Sequence, residues 1–326
     1  MKTTLTLATL VTTAAGAAMA QAPVLTVYVY DSFASEWGPG PQIEAGFEAT
    51  CGCDVQFVAA GDGAALLSRV MLEGAQTQAD VVVGLDNFLM ERARETGLFA
   101  PHGVAMPADA PEGFSDDTFL PFDWGWFAFV GNADAPAPRS LAELAASDLT
   151  VVIQDPRSST PGLGLALWVK AVYGAEAPAF WAALSDNILT VTPGWSEAYA
   201  LFTEGEADAV LSYSTSPAYH ILAEGDETKV AWAFDDGHLA QVEVAALVAG
   251  SDQPDLGAAF LAYLTGPEAQ AVIPQTNWMF PVLMPADGLP DAFSQGGPFT
   301  PLALSPADAA AMRDQAVEDW RAALSQ

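Results

Sequence analysis

Short apolar runs alternate with segments of helical spacing along the first third of this chain. Runs 24–30, 55–59 and 79–83 are rich in Val, Ala and aromatic residues, and each is followed by a loop and an amphipathic stretch. Regular alternation of strand, loop and helix is typical of a parallel α/β sheet with right-handed crossovers. The pattern therefore predicts an α/β lobe at the start of the chain.

The same alternation returns after residue 140. Apolar runs 149–153 and 209–213 predict two buried strands, and helices are predicted to open near Gly162 and Pro178. Proline suits the first position of a helix, where its missing N–H would have no partner in any case. We therefore predict a second α/β lobe.

Two further runs predict strands that pass between the lobes. Run 119–130 alternates bulky residues, and run 241–248 is almost wholly apolar. Two crossings make the second lobe an insertion in the first, with a hinge at the base of an interlobe cleft. An amphipathic helix at 306–324 is expected to pack back on the first lobe. The predicted division assigns 21–124 and 242–326 to lobe 1 and 125–241 to lobe 2.

The first twenty residues have the layout of a secretory signal peptide. One cation, Lys2, precedes an uncharged run that ends in Ala18-Met19-Ala20, which is typical of a leader and its cleavage site. No later run approaches the roughly 18 uninterrupted apolar residues of a membrane span. We therefore expect export from the cytoplasm, a mature chain that begins at Gln21, and no membrane insertion.

Length and charge narrow the class of partner. At about 150 residues per domain, 326 residues predict two domains. The chain carries 41 acidic residues against 10 Lys and Arg, a formal net charge of −31. This balance disfavours nucleic acid and anionic membrane surfaces as partners, and it is compatible with a cationic ligand.

Two cysteines, Cys51 and Cys53, stand in a Cys-Gly-Cys sequence. An oxidising compartment makes a disulfide between them plausible, and two unreactive thiols are the alternative. A metal site is disfavoured because no His or third Cys is near in sequence.

Tryptophan and tyrosine concentrate where ligands bind open α/β sheets, beyond the carboxyl ends of the strands. Tyr30 follows the first predicted strand, Tyr213 ends another, and Trp195 opens a helix. Converging aromatic faces suit a flat, positively charged ligand. The hydroxyls of loop 158–160 suit a polar or phosphorylated tail. Trp168, Trp181 and Trp232 stand at apolar positions inside predicted elements and are assigned to the core.

The ordered motifs carry a more specific resemblance. They are Tyr30-Asp-Ser-Phe, Trp37-Gly-Pro-Gly-Pro, Gly84-Leu-Asp-Asn87, Gln154-Asp-Pro-Arg, Ser159-Thr-Pro-Gly-Leu-Gly, Gly194-Trp-Ser-Glu-Ala-Tyr199, Ser212-Tyr213, Thr215-Ser-Pro-Ala-Tyr-His220 and Asn277-Trp278-Met279. In this order they resemble the periplasmic thiamine-binding proteins of bacterial ABC importers, through essentially the whole mature chain. The resemblance implies a type II periplasmic-binding-protein fold that closes on thiamine or its phosphates, and an importer permease as partner.

The resemblance also implies the ligand contacts. Trp195 and Tyr213 would be aromatic contacts, and Asp62 would be an acceptor or counter-charge. Ser159 and Thr160 would donate to the hydroxyl or phosphate end. The full predicted set is Asp62, Gly63, Ser159, Thr160, Trp195, Tyr213, Ser214, Thr215, Ser216, Tyr30, Trp37, Tyr219 and Trp278. Ser214 stands where the family has Thr, and Phe280 where it has Tyr. No cofactor, metal or catalytic residue is expected.

Three alternatives remain at this point. Iron(III)-binding relatives of this fold carry adjacent tyrosines at the end of the second-lobe strand, whereas here Ser214 follows Tyr213. Polyamines have no flat ring to stack. A thiaminase-like enzyme would need a cleft cysteine as nucleophile, and Cys51 and Cys53 precede the second strand, at the end opposite the expected ligand face. No zinc spacing, nucleophile elbow or phosphate loop supports another enzyme class.

Overall fold

The computed structural model describes residues 22–324, so the predicted leader 1–20 and the expected start at Gln21 lie outside the described residues. The strands, in chain order, are β1 (Val24–Val29), β2 (Asp54–Ala59), β3 (Val81–Asp86), β4 (Phe99–Ala100), β5 (Phe119–Asn132), β6 (Val151–Gln154), β7 (Ile188–Thr192), β8 (Ala209–Tyr213), β9 (Lys229–Ala231), β10 (Ala240–Val248) and β11 (Phe280–Pro281).

The helices flank these strands. They are α1 (Asp31–Ala34), α2 (Gly40–Cys51), α3 (Gly63–Glu73), α4 (Met90–Glu95), α5 (Leu141–Ala145), α6 (Thr160–Tyr173), α7 (Ala177–Leu184), α8 (Trp195–Thr203), α9 (Ser216–Tyr219), α10 (Pro254–Leu264), α11 (Pro267–Thr276) and α12 (Pro306–Leu324). Among these helices, none is both long and apolar enough to span a bilayer.

The main strands run in the order β2-β1-β3-β10-β5-β8-β6-β7. On one side β1, β2 and β3 are parallel, and on the other β6 is parallel to both β7 and β8. Between these two groups lie β10 and β5, which pair antiparallel with each other. Each parallel group buries its faces under helices, which explains the nearly continuous apolar runs in its strands.

Strand β5 belongs to both halves of the sheet. Its residues from Phe119 to Trp126 pair with β10, and those from Phe127 to Gly131 pair with β8. The two predicted crossing strands are thus confirmed as β5 and β10. The predicted lobe boundaries fall inside them and stay a prediction.

Helix α12 differs from the expectation. It begins and ends where the pattern predicted, yet it packs mainly on α6 and α7, and less on α4. Trp320 joins the same core as Trp168, and Asp319 accepts a hydrogen bond from Lys170 Nζ at 2.7 Å. The helix thus packs on both sides of the predicted division, and mostly on the second lobe, which the expectation did not include. Amphipathic spacing identifies the face that a helix buries but not the surface that covers it.

The interior confirms one other prediction about side chains and decides between two alternatives that the sequence left open. Trp168, Trp181 and Trp232 are each at most 2% exposed and belong to the core. Cys51 and Cys53 form a disulfide with their Cα atoms 5.2 Å apart. The bond closes the turn from α2 into β2, at the amino end of that strand.

Candidate functional site

A cavity of about 470 Å³ lies between the two halves of the sheet. Its walls come from residues that follow β1 and β8, from the first turns of α3, α6 and α8, and from segment 275–279. This volume is typical of sites for small organic ligands. Because loops at the carboxyl ends of parallel strands meet at one edge of a sheet, the topology brings distant segments of the chain to one site.

One wall is a pair of stacked rings. The Trp195 indole lies on the Tyr199 ring, with centroids 4.8 Å apart and planes at 27°. Trp195 Nε1 donates to Ser212 Oγ at 2.8 Å, which fixes the ring orientation. Trp37 stands 6.4 Å from Trp195 between ring centroids and is 55% exposed. It therefore stands at the mouth of the cavity.

The wall formed by Tyr30 depends on a glycine beneath its ring. The Tyr30 ring covers Gly84, whose φ is +102° and where a Cβ would come within 2.0 Å of Tyr30 Cδ1. Only glycine permits both this backbone conformation and this close approach. The Tyr30 hydroxyl donates to Asn277 Oδ1 at 3.1 Å, so the ring is held at both ends.

Trp278 forms an end of the cavity, and its backbone is unusual. Its φ is +56°, the one positive value at a residue other than glycine in the described chain. Its ring meets Tyr219 edge to face, with centroids 5.5 Å apart. The Tyr219 hydroxyl donates to Glu224 Oε1 at 2.8 Å. Bulky residues rarely adopt this left-handed backbone conformation, because the surrounding packing must offset its strain. Such residues cluster at functional sites.

Asp62 joins the two halves of the site. It precedes α3 and its Oδ2 accepts hydrogen bonds from Ser159 Oγ at 2.7 Å and from the Trp195 backbone N–H at 3.0 Å. We call these three residues the Asp62 bridge. Ser159 and Trp195 stand at the start of α6 and α8, where helix dipoles favour a carboxylate. Burial nevertheless raises the pKa of Asp62 to about 6, since the two hydrogen bonds offset only part of the desolvation.

Three buried carboxyl groups lie in a row across neighbouring strands. In the strand register Glu243 of β10 is opposite Asp86 of β3 on one side and Asp123 of β5 on the other. Burial raises the pKa of Asp86 to about 7 and that of Asp123 to about 8. Burial and the nearby Asp123 raise the pKa of Glu243 well above its usual range. We call Asp86, Glu243 and Asp123 the acid row, and Glu243 is its member that lines the cavity.

Tyr213 and the turn after it complete the second-lobe side. Tyr213 lines the cavity and stacks on Phe127, with centroids 5.6 Å apart. Burial raises the pKa of its hydroxyl well above the usual range, with Glu243 as the next contribution. Ser216 Oγ lies 2.8 Å from Ser212 Oγ and accepts from the Tyr213 N–H at 3.3 Å. The turn thus holds both the Tyr213 backbone and the serine to which Trp195 donates.

The cavity brings together ten of the thirteen predicted residues. These are Tyr30, Trp37, Asp62, Gly63, Thr160, Trp195, Tyr213, Ser216, Tyr219 and Trp278. The other three lie behind the wall: Ser159 donates to Asp62, Thr215 Oγ1 contacts Met279 Sδ at 3.8 Å, and Ser214 is buried. Whether any of them touches a ligand stays a prediction.

Sequence reasoning missed several residues of the wall, above all Glu243, Tyr199 and Met279. Tyr199 and Met279 stand in the quoted motifs, but no spacing rule assigns them to the cavity. Glu243 had a visible signal, because it is an acidic residue inside the apolar run 241–248.

One group of side chains in the described chain could approach a metal ion: His220, Glu224 and Asp226. His220 Nε2 lies 2.9 Å from the Tyr199 hydroxyl, and Nδ1 lies 2.7 Å from Glu224 Oε2. Both ring nitrogens therefore already have partners, and the group supports the Tyr199 and Tyr219 rings.

Two α/β halves joined by two crossing strands, with an aromatic cavity between them, define a two-lobed solute-binding protein. A family model described as bacterial extracellular solute-binding protein matches residues 25–276. The chain belongs to this family. The predicted type II fold is confirmed.

Individual relatives align with this chain over almost their whole length. A thiamine-binding periplasmic protein of Escherichia coli (strain K12) is 51% identical over 310 residues, which cover 93% of this chain and 94% of that protein. One from Brucella melitensis biotype 1 is 49% identical over 308 residues, which cover 93% of this chain and 92% of that protein. The solved structure of a periplasmic thiamin binding protein matches with a TM-score of 0.90 and 50% sequence identity. The match covers 94% of this chain and 97% of that chain. These relatives are named as binding proteins, and the resemblance found in the motifs is confirmed.

Proposed function

We propose that this protein captures thiamine in the periplasm and delivers it to the permease of an ABC importer. One observation carries the proposal: a cavity with aromatic walls and a buried acidic side, in a chain that shares about half its residues with thiamine-binding periplasmic proteins. Thiamine has two flat rings, one of them a permanently charged thiazolium. Aromatic faces and carboxylates are the groups that bind such a cation.

The aromatic walls supply most of the contact area. Trp195 and Tyr213 on one side and Tyr30 and Trp278 on the other are in reach of a ligand in the cavity. A cation over an aromatic face gains about 0.5 to 2 kcal/mol. Several such faces together favour a planar cation over a flexible polyamine, which has no ring to stack.

The polar end of the ligand would face the start of α6. Thr160 and Gly63 line the cavity there, and helix N-termini offer backbone N–H groups to hydroxyl or phosphate oxygens. Ser159, Ser214 and Thr215 would act indirectly, through the wall residues that they support. The same geometry can accept thiamine monophosphate or diphosphate.

Binding without chemistry is the second part of the proposal. Thiaminase activity requires a nucleophile in the cleft. The two cysteines of the chain are joined in a disulfide at the amino end of β2. Asp62 follows the other end of that strand, roughly 20 Å along six residues. No thiol is therefore free to attack a ligand.

A titration tests the ligand and the absence of chemistry together. The mature protein is titrated with thiamine, followed by tryptophan fluorescence and calorimetry, and the bound vitamin is then recovered and quantified. We expect saturable binding and full recovery of intact thiamine. Absence of binding would reject the ligand, and cleavage products would identify an enzyme. Competition with thiamine monophosphate and diphosphate ranks the phosphorylated forms.

The cellular location needs its own test. Export of the full-length chain from a bacterial host, followed by mass measurement of the periplasmic product, is expected to show cleavage after Ala20. Retention of residues 1–20 in a cytoplasmic product would reject this part of the proposal.

A further inference from the structure

Glu243 is an acidic residue that the described side chains leave partly unsatisfied. It is 8% exposed, and its Oε1 accepts from Gln241 Nε2 at 2.8 Å. Its Oε2 has no partner within hydrogen-bonding distance and angle in the described chain. Burial raises the pKa of this carboxyl group, and an interaction with the nearby Tyr30 hydroxyl opposes part of that rise. A buried polar atom without a partner is costly, and in a cavity wall it indicates a bond that a ligand completes.

The neighbouring acids differ from Glu243 in their access to the cavity. Asp86 Oδ2 and Asp123 Oδ1 also lack partners, but neither residue lines the cavity, whereas Glu243 does. The remaining oxygens of both aspartates are used: Asp86 Oδ1 accepts from the Phe88 and Leu89 N–H groups, and Asp123 Oδ2 accepts from Asn277. Glu243 is thus the member of the acid row that a ligand can reach.

The backbone also singles out this position. Pairing of β10 with β5 shifts by one residue directly after Glu243, and pairing with β3 shifts one residue later. The residues left over are Phe122 and Gly84. The two strands that flank β10 thus each carry a β-bulge beside Glu243, and bulges are typical of functional sites.

Hydrogen-bonding chemistry selects the part of the ligand that Glu243 meets. The thiazolium ring of thiamine carries the charge but no N–H donor. The aminopyrimidine ring carries an amino group beside a ring nitrogen, which offers a donor and an acceptor on one edge. A protonated carboxyl group matches such an edge, because its O–H donates to the ring nitrogen while it accepts from the amino group. Tyr30, Tyr213 and Glu243 line the same cavity, and so aromatic rings lie near the position where that ring would bind.

We infer that Glu243 is a specificity-determining residue whose Oε2 hydrogen-bonds the aminopyrimidine edge of thiamine. The inference rests on the proposed function, because it names a part of that ligand. It assigns ring recognition to Glu243 and leaves the charge of the thiazolium to the aromatic faces and to Asp62. A counter-charge role for Glu243 is the competing explanation.

Two conservative variants separate the explanations. Glu243→Gln removes the charge but keeps a donor and an acceptor, so a hydrogen-bonding role predicts affinity for thiamine within about 5-fold of wild type. Glu243→Asp keeps the charge but withdraws the carboxyl by one methylene, so the same role predicts a loss of about 10-fold or more. A counter-charge role predicts the reverse order. Asp86→Asn, in the same row but outside the wall, is the control and is expected to bind as wild type does.

The ligand provides the second half of the test. Each protein is titrated calorimetrically with thiamine and with an analogue that has hydrogen in place of the pyrimidine amino group. We expect Glu243→Asp to lower the affinity for thiamine but to leave the affinity for the analogue within about 2-fold of wild type. Coupling between two groups arises only when they are in contact. Equal losses for both ligands, or no loss for either, would overturn the inference. If wild type bound no thiamine, the proposed function would fail first and this inference with it. Thiamine binding without the coupling would overturn the inference alone.

Discussion

The carboxylate of Asp62 accepts a hydrogen bond from the backbone N–H of Trp195 at 3.0 Å, and the two residues come from opposite lobes of the predicted division. The contact is reinforced beside it, where the Ala65 N–H donates to Ser158 O at 2.9 Å. These bonds join the two sides of the cleft, so opening of the cleft would have to break them. They therefore link closure to the same residues that line the ligand cavity.

Removal of the Asp62 bridge is expected to weaken ligand binding. Asp62→Ala deletes the acceptor for two donors, so the closed form loses stability relative to the open form, and apparent affinity falls by about 10-fold or more. Calorimetric titration with thiamine measures the loss. Asp31→Asn is the matched control, because this exposed residue accepts from the Gly61 N–H in the same loop but lies outside the cavity. Equal losses for both variants would contradict a bridging role.

A second prediction compares two tryptophans. Trp195→Ala removes a cavity wall, and we expect thiamine affinity to fall by about 10-fold or more with little loss of stability. Trp181 is 1% exposed in the core, so Trp181→Ala should lower the free energy of unfolding by about 3 to 5 kcal/mol. The folded fraction of that variant should bind normally. Thermal unfolding and titration at equal folded concentration measure both effects, and similar affinity losses would reject the assignment of Trp195 to the site.

The parts of the fold predicted from sequence are those encoded by local patterns. β5 and β10 were visible as long apolar runs, and helix α12 as an amphipathic period. The surface against which α12 packs was not predictable, because Trp320 and Trp168 are distant in sequence and meet only in the tertiary structure.

The site residues also fall into those that could be expected from the sequence and those that only the tertiary structure brings together. Trp195 and Trp278 stand in recognisable motifs, Asp62 was expected from the family resemblance, and the cavity includes all three. The acid row was not predictable, because Asp86, Asp123 and Glu243 come from three separate strands and meet only through the strand register. Ser214 and Thr215 show the converse, since neighbours of a wall residue in sequence can face away from the cavity.

The acid row and Asp62 predict how stability depends on pH. Their pKa values in the folded protein, about 6 for Asp62, 7 for Asp86 and 8 for Asp123, exceed the value of about 3.9 expected in the unfolded chain. Between these values the folded state holds protons that the unfolded state has released. The free energy of unfolding therefore falls as pH rises, by up to about 1.4 kcal/mol per unit for each group.

Thermal unfolding of the ligand-free protein tests this dependence. We expect a midpoint at pH 8 that is at least about 3 °C below the midpoint at pH 6. Asp123→Asn should reduce the difference, because an amide keeps an acceptor for Asn277 and does not ionise. A midpoint that rises from pH 6 to pH 8 would contradict the raised pKa values.

The last prediction concerns the backbone of Trp278. Its φ of +56° costs a residue with a Cβ about 1 kcal/mol or more, and glycine adopts it without strain. Trp278→Ala and Trp278→Gly both remove the ring that meets Tyr219, so both should lose thiamine affinity to a similar degree. They differ in backbone strain, and the glycine variant should be more stable than the alanine variant by about 1 kcal/mol, although glycine usually destabilises. Chemical denaturation of the two ligand-free variants measures the difference. An alanine variant that is the more stable of the two would show that the backbone at this position relaxes once the indole is gone, and the strain would then be a consequence of ring packing in the cleft.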